Sequence, residues 1–176
     1  MPEIRQQKDP ILHTKAEPVP LSLIGSPQLN TILTDMVTAM STQRDGVAIA
    51  APQIGIPLQI FIVSGTTLSK ADKEYTSGTD DLVFINPKIT KLSKEKQILE
   101  EGCLSVRWLY GTVSRSIKAS IQALNEKGEK IERGASGLLA QIFQHETDHL
   151  NGILFTDKAI EVWEMTEEEI REAQGK

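Results

Sequence analysis

SGLLAQIFQHETDHLNG, residues 136–152, is the stretch whose periodicity decides the fold. Leu138, Ile142, His145 and His149 recur at spacings of three and four, so on an α-helix they fall on one stripe. Ser136 stands where an N-cap is expected, and Asn151-Gly152 is a left-handed C-terminal stop. The pattern predicts a helix from about Gly137 to Leu150. On it, His145-Glu146-Thr147-Asp148-His149 sets two imidazoles one turn apart, the HExxH spacing that lets both reach one ion while the glutamate stays beside it. The competing reading, two histidines on a solvated face, has to explain why they share their stripe with Leu138 and Ile142 rather than with charges.

Further toward the N-terminus, Ser26-Pro27 reads as an N-cap with proline at the first helical position, followed by Leu29, Ile32, Leu33, Met36, Val37 and Met40 at helical spacing. This amphipathic helix is expected to end at Asp45-Gly46. After it, VAIAAPQIG runs into a Pro- and Gly-marked turn, and LQIFIV at 58–63 has the composition of a strand. Ser64 to Asp81 is polar and reads as a loop. LVFINP, IKASIQAL at 117–124, the NEKG turn and EKIER predict further, mostly antiparallel strands. Helix, several strands, helix gives an α+β class, with a helix packed on antiparallel β-sheets. The chain has the length of one domain, 1–176, with an acidic tail from about 158 to 176. Thr166 and Glu169 have the capping-box spacing there, which predicts a short acidic helix.

Composition narrows the function classes. A net charge of -5 argues against the clustered Lys and Arg that nucleic-acid binding needs, so no DNA partner is expected. No stretch approaches the roughly 18 apolar residues of a membrane span, and the first residues carry no apolar run, so the expected location is the cytoplasm, without membrane contact. The single cysteine, Cys103, excludes an internal disulfide and is either a packed thiol or a ligand.

HExxH alone points to a zinc peptidase with a third ligand downstream, but no histidine follows His149. Upstream, Glu101-Gly102-Cys103-Leu104-Ser105 offers a thiolate. With His145 and His149 it completes a Cys plus two His set that leaves a fourth position for water. Taken together, GVAIAAPQ at 46–53, EGCLS at 101–105 and QHETDHLNG at 144–152 resemble the three ordered motifs of the peptide deformylase family. The resemblance extends through DPILHTKAEPV at 9–19 and VSRSIK at 113–118 and covers the chain to about Asp157.

That resemblance implies an α+β fold of antiparallel β-sheets packed around a central HExxH-bearing helix, and a hydrolase that removes the formyl group from formyl-methionyl nascent polypeptides. It implies one divalent metal ion, ferrous iron natively, with zinc, nickel or cobalt as substitutes. Glu146 then moves the proton, while the Gln53 amide and the Leu104 backbone N–H donate to the oxyanion. The substrate then lies as an extended strand along the first motif, where Val47 offers backbone hydrogen bonds and part of a methionine pocket, Ala48 and Gly102 flank it, and Leu138 and Ile142 form the pocket floor. For Gln53 the alternative is a turn residue after Pro52; for Leu138 and Ile142 it is helix core. Asp148 either orients a ligand histidine or is an ion-paired helix charge.

Two positions depart from the family pattern. Ala48 stands where the family has glycine, placing a methyl where the substrate backbone is expected to approach closely. Gln141 occupies a helix position that is usually apolar and borders the pocket. Nascent chains as substrate also imply a transient, local ribosome contact. The family's docking cases use a longer basic C-terminal helix, and the tail here is short and acidic. Two rival readings remain: a metal amidase of the same fold acting on another acyl group, and a catalytically silent peptide-binding relative.

Overall fold

A computed structural model describes residues 2–71 and 80–174. Helix α1 spans Pro27–Ser41, and the Ser26 Oγ accepts from the Leu29 N–H at 3.2 Å, the N-cap read from the sequence. It stops at Ser41, four residues before Asp45, with Thr42 at the C-cap. Gly46 follows in close contact with the helix end, where a Cβ would stand 2.3 Å from the Met40 carbonyl oxygen.

Strands β1 (Ala48–Ala50), β2 (Ile60–Val63), β3 (Leu82–Leu92), β6 (Lys118–Leu124) and β7 (Lys130–Ser136) form an antiparallel sheet in the order β1-β2-β3-β6-β7. The run Ile60-Phe61-Ile62-Val63 is apolar at every position because both faces of the sheet are covered. Phe61 and Val63 join Ala48 and Ala50 against helix α3, Gly137–Leu150. Ile60 and Ile62 join Ile49 against α1. Phe61, Phe84 and Phe143 stack where α3 meets the sheet. A second antiparallel sheet, in the order β4-β5-β8, consists of Lys96–Gly102, Leu109–Ser116 and Glu161–Glu164. Helix α3 packs on the first sheet and also touches β5, so the two sheets flank the HExxH helix as expected.

Four local expectations need correction. Within the polar stretch after Ser64, Gly65–Ala71 is a helix, α2, started by Ser64 Oγ accepting from the Thr67 N–H and anchored by the buried Leu68; residues 72–79 of that stretch lie outside the described ones. Helix α1 ends at Ser41 rather than at Asp45-Gly46. Ser136 occupies the N-cap position of α3 but its side chain makes no cap bond, and the turn is made by Gly137 at φ 57°. The acidic tail is partly built into the fold, because β8 pairs with β5 before the chain enters α4, Glu167–Gln174. The capping box of α4 is present: the Thr166 N–H donates to Glu169 Oε2 at 2.7 Å, and the Glu169 N–H to Thr166 Oγ1 at 3.3 Å.

Candidate metal centre and catalytic cleft

Cys103 leaves the end of β4 and faces α3, where one donor atom each of Cys103, His145 and His149 lie within 4.8 Å of one another. Cys103 Sγ is 3.2 Å from His149 Nε2. Tetrahedral ligands at about 2.0–2.3 Å from an ion stand roughly 3.3–3.6 Å apart, so this donor set fits one divalent ion. Burial alone pushes the Cys103 thiol up, yet the charges and hydrogen bonds of His149 and His145 outweigh it and bring it down to about 5, the thiolate that a ligand requires.

Glu101 holds His145 in place. Its Oε2 lies 2.9 Å from His145 Nδ1, which turns the ring so that Nε2 faces the cluster. Glu101 is itself gripped by Arg115, with Nε on Oε1 at 2.7 Å and Nη2 on Oε2 at 2.8 Å. Burial would raise its carboxyl, but Arg115 and His145 bring it down to about 2. Arg115 Nη1 continues to Asp148 Oδ2 at 2.6 Å, and Lys158 closes the chain on Asp148 Oδ1 at 2.5 Å. Of the two readings for Asp148, the ion-paired one therefore holds. Sequence reasoning missed Glu101 as the residue that orients a histidine and Arg115 as its partner, although both lie inside quoted motifs. Their pairing links β4 to β5 and is invisible to helical or strand periodicity.

Glu146 is 4% exposed, and its Oε2 has no hydrogen-bond partner. Burial pushes its carboxyl upward, partly opposed by the two histidine charges. Gln53, 1% exposed, is fixed at both ends of its amide. Oε1 accepts from the Ala50 N–H at 2.8 Å, while Nε2 donates to Ser105 Oγ at 3.1 Å and approaches Cys103 Sγ at 3.5 Å. Leu104 follows Cys103 and borders the same cavity.

That cavity, about 350 Å³, runs from Glu146 and Gln53 between β1 and the Gly102 segment. Val47, Leu138 and Ile142 line it, so α3 contributes both core and cavity wall. At Gly102 a Cβ would come within 2.8 Å of the Tyr110 ring, which is why the position carries no side chain. Ala48 borders the cavity from an ordinary extended strand and packs with the α3 cluster. Gln141 also lines the cavity, with its amide tied down: Nε2 donates to the Glu100 carbonyl at 2.9 Å and approaches Glu101 Oε1 at 3.4 Å.

A thiol and two imidazoles converging on ion-sized space, with a buried carboxyl beside them at the end of a cleft, define a metal-dependent hydrolase of the HExxH kind. The family model of polypeptide deformylase matches residues 1–164, and the chain belongs to that family. It is 40% identical over 159 residues to peptide deformylase 2 of Clostridium acetobutylicum, covering 90% of this chain and 95% of that one. It is 41% identical over 165 residues to the chloroplastic peptide deformylase 1A of Solanum lycopersicum, covering 90% of this chain and 59% of that longer protein. Among solved structures, the Met-Ala-Ser-bound class I type b enzyme of Acinetobacter baumannii aligns with a TM-score of 0.78 at 36% identity, over 88% of this chain and 96% of that one. The peptide deformylase of Thermotoga maritima aligns with a TM-score of 0.78 at 33% identity, over 92% and 99%. Among the described residues no helix is long and apolar enough to cross a membrane.

Proposed function

We propose that this chain, acting as one catalytic unit over 1–176, hydrolyses the formyl amide of formyl-methionyl nascent polypeptides and releases formate. The observation that carries the reading is the convergence of Cys103, His145 and His149 beside a buried, unpartnered Glu146 oxygen, at the end of a cavity of about 350 Å³, within the range of small-ligand pockets. Cys103, His145 and His149 would hold the ion. Ferrous iron is the proposed native metal, with zinc, nickel or cobalt as substitutes, since a thiolate and two imidazoles accept any of them. When bound, the ion supplies a Lewis acid and brings the pKa of water toward neutrality.

The remaining steps belong to the chain. Glu146 takes the proton of the attacking water and returns it to the departing amine nitrogen, a role suited to a carboxyl whose pKa burial has raised. Gln53 Nε2 and the Leu104 N–H donate to the oxyanion that develops on the formyl oxygen; the Gln53 amide needs no reorganisation, because Ala50 already fixes its carbonyl. Val47, Leu138 and Ile142 receive the methionine side chain. The peptide extends between β1 and Gly102 by strand addition, for which β1 is suited because it pairs with β2 on one side only. The Val47 carbonyl already accepts from the Ser64 N–H at 2.8 Å, so ladder alternation turns the N–H and C=O of Ala48 toward the open edge. Any ribosome contact proposed for nascent chains is local and does not use the acidic α4.

The test is formate release from formyl-Met-Ala-Ser by metal-loaded protein, with acetyl-Met-Ala-Ser as control. Release from the formyl peptide alone is expected, and Glu146→Gln should keep its metal while kcat falls about 10²–10⁴-fold. Equal cleavage of the acetyl peptide would make the chain a broader amidase, and near-normal turnover in Glu146→Gln would demand another base.

A further inference from the structure

Arg107 lies in the turn between β4 and β5, and its guanidinium crosses to the loop that precedes β1. Nη1 donates to Asp45 Oδ2 at 2.5 Å and Nη2 to Asp45 Oδ1 at 3.0 Å, a two-pronged fork, and Nη2 also reaches Gln43 Oε1 at 3.0 Å. The arginine is held from behind by the Trp108 ring, 4.7 Å from its Cζ. The Arg107 side chain is 17% exposed and that of Asp45 36%, so the fork is half-open to solvent and owes its strength to its two-pronged geometry.

The two segments joined by this fork are opposite walls of the cleft. Asp45 and Val47 line it on one side, Gly102 and Tyr110 on the other. On the first side the loop is pressed against the end of α1 at Gly46, and Arg107 is the only ion-pair partner of Asp45 among the described residues. The Arg107 guanidinium bonds to Asp45 and Gln43 rather than to Cys103, His145, His149 or Glu146, so its most direct connection to the site is across the two walls of the cleft.

We propose that Arg107 is a positioning residue whose fork to Asp45 straps the two walls at a fixed separation, and so sets affinity for the peptide residues that follow formylmethionine. The proposal rests on the deformylase reading above. A peptide lying as a strand between two walls needs each at roughly 4.8 Å from its backbone, a spacing with little tolerance. A bidentate arginine–carboxylate pair fixes orientation as well as distance, which a single lysine contact does not. Formylmethionine alone occupies only the inner end of the cleft, whereas each added residue engages more of both walls. The influence of the strap therefore grows with peptide length.

The experiment compares formyl-Met, formyl-Met-Ala and formyl-Met-Ala-Ser in wild type, Arg107→Ala, Arg107→Lys and the charge-exchanged pair Asp45→Arg with Arg107→Asp, alongside metal content and thermal midpoint. Arg107→Ala should raise KM for the tripeptide about tenfold, leave kcat and the KM for formyl-Met within about twofold, and leave the metal in place. Arg107→Lys should fall between, and the exchanged pair should recover part of the loss. An unchanged tripeptide KM, an equal rise for all three substrates, or loss of kcat or metal would overturn the strap. If Arg107→Ala does not fold, the lysine variant and the exchanged pair are judged by the same length dependence. Absence of formate from every substrate with wild type would instead count against the activity itself.

Discussion

At Ala48 a single methyl group separates this chain from the family pattern, and its direction decides what it does. Side chains stand perpendicular to a strand while pairing partners approach in its plane, so a methyl that belongs to the buried cluster around α3 leaves the open edge of β1 unblocked. This geometry speaks against the crowding of the substrate backbone expected from sequence, and kinetics on the glycine variant decide between the two. Ala48→Gly should thus change KM for formyl-Met-Ala-Ser by less than about threefold and leave kcat unaltered, while lost burial and added chain entropy lower stability by about 1–2 kcal/mol. Steady-state kinetics and urea unfolding check both; a tenfold fall in KM would restore the crowding account. Gln141 is similar in kind. Its residue type announced a polar group at the pocket, but only the fold shows its amide bonded to the Glu100 carbonyl, so it closes the seam between α3 and β4.

Elements were legible in proportion to how strongly their own residues repeat. Helix α3 and its stop, the capping of α1 and the all-apolar β2 carry their periodicity locally, and the three ligands follow from helical spacing plus the lone cysteine. Strands β4 and β8 are largely polar and exposed, so nothing local marks them, and α2 has a single deep anchor in Leu68. The ion chain from Lys158 through Asp148, Arg115 and Glu101 to His145 was equally hidden, because its members meet only when β4, β5 and α3 assemble. These ion pairs make the junction of the three-stranded sheet with α3 acid-sensitive. Glu101 sits at about 2 in the fold against an ordinary 4.5, so it stabilises the folded state fully above about 4.5, and that contribution disappears as pH falls toward 2. In metal-free protein, wild type should exceed Glu101→Gln by on the order of 3 kcal/mol above pH 5, with the gap closing toward pH 2. Urea titrations across that range are decisive: a gap independent of pH would show that Glu101 acts through shape rather than charge.

On the scale of the whole molecule, two antiparallel sheets exist around α3 so that a thiolate from one can meet two imidazoles on the helix between them. The five-stranded sheet brings Gln53 and the open edge of β1, the three-stranded sheet brings Cys103, and α3 brings both histidines and Glu146. Cys103 is the residue on which this union turns, since it is the proposed ligand supplied from outside the helix. Metal titration into metal-free wild type and Cys103→Ala, followed by metal analysis and by formate release from formyl-Met-Ala-Ser, measures it directly. The account predicts that wild type binds one ion per chain, with activity reaching its plateau at one equivalent. Cys103→Ala should remain folded but retain little metal and release little formate. One tightly bound ion in folded Cys103→Ala protein would contradict it, returning Cys103 to the role of a packed thiol.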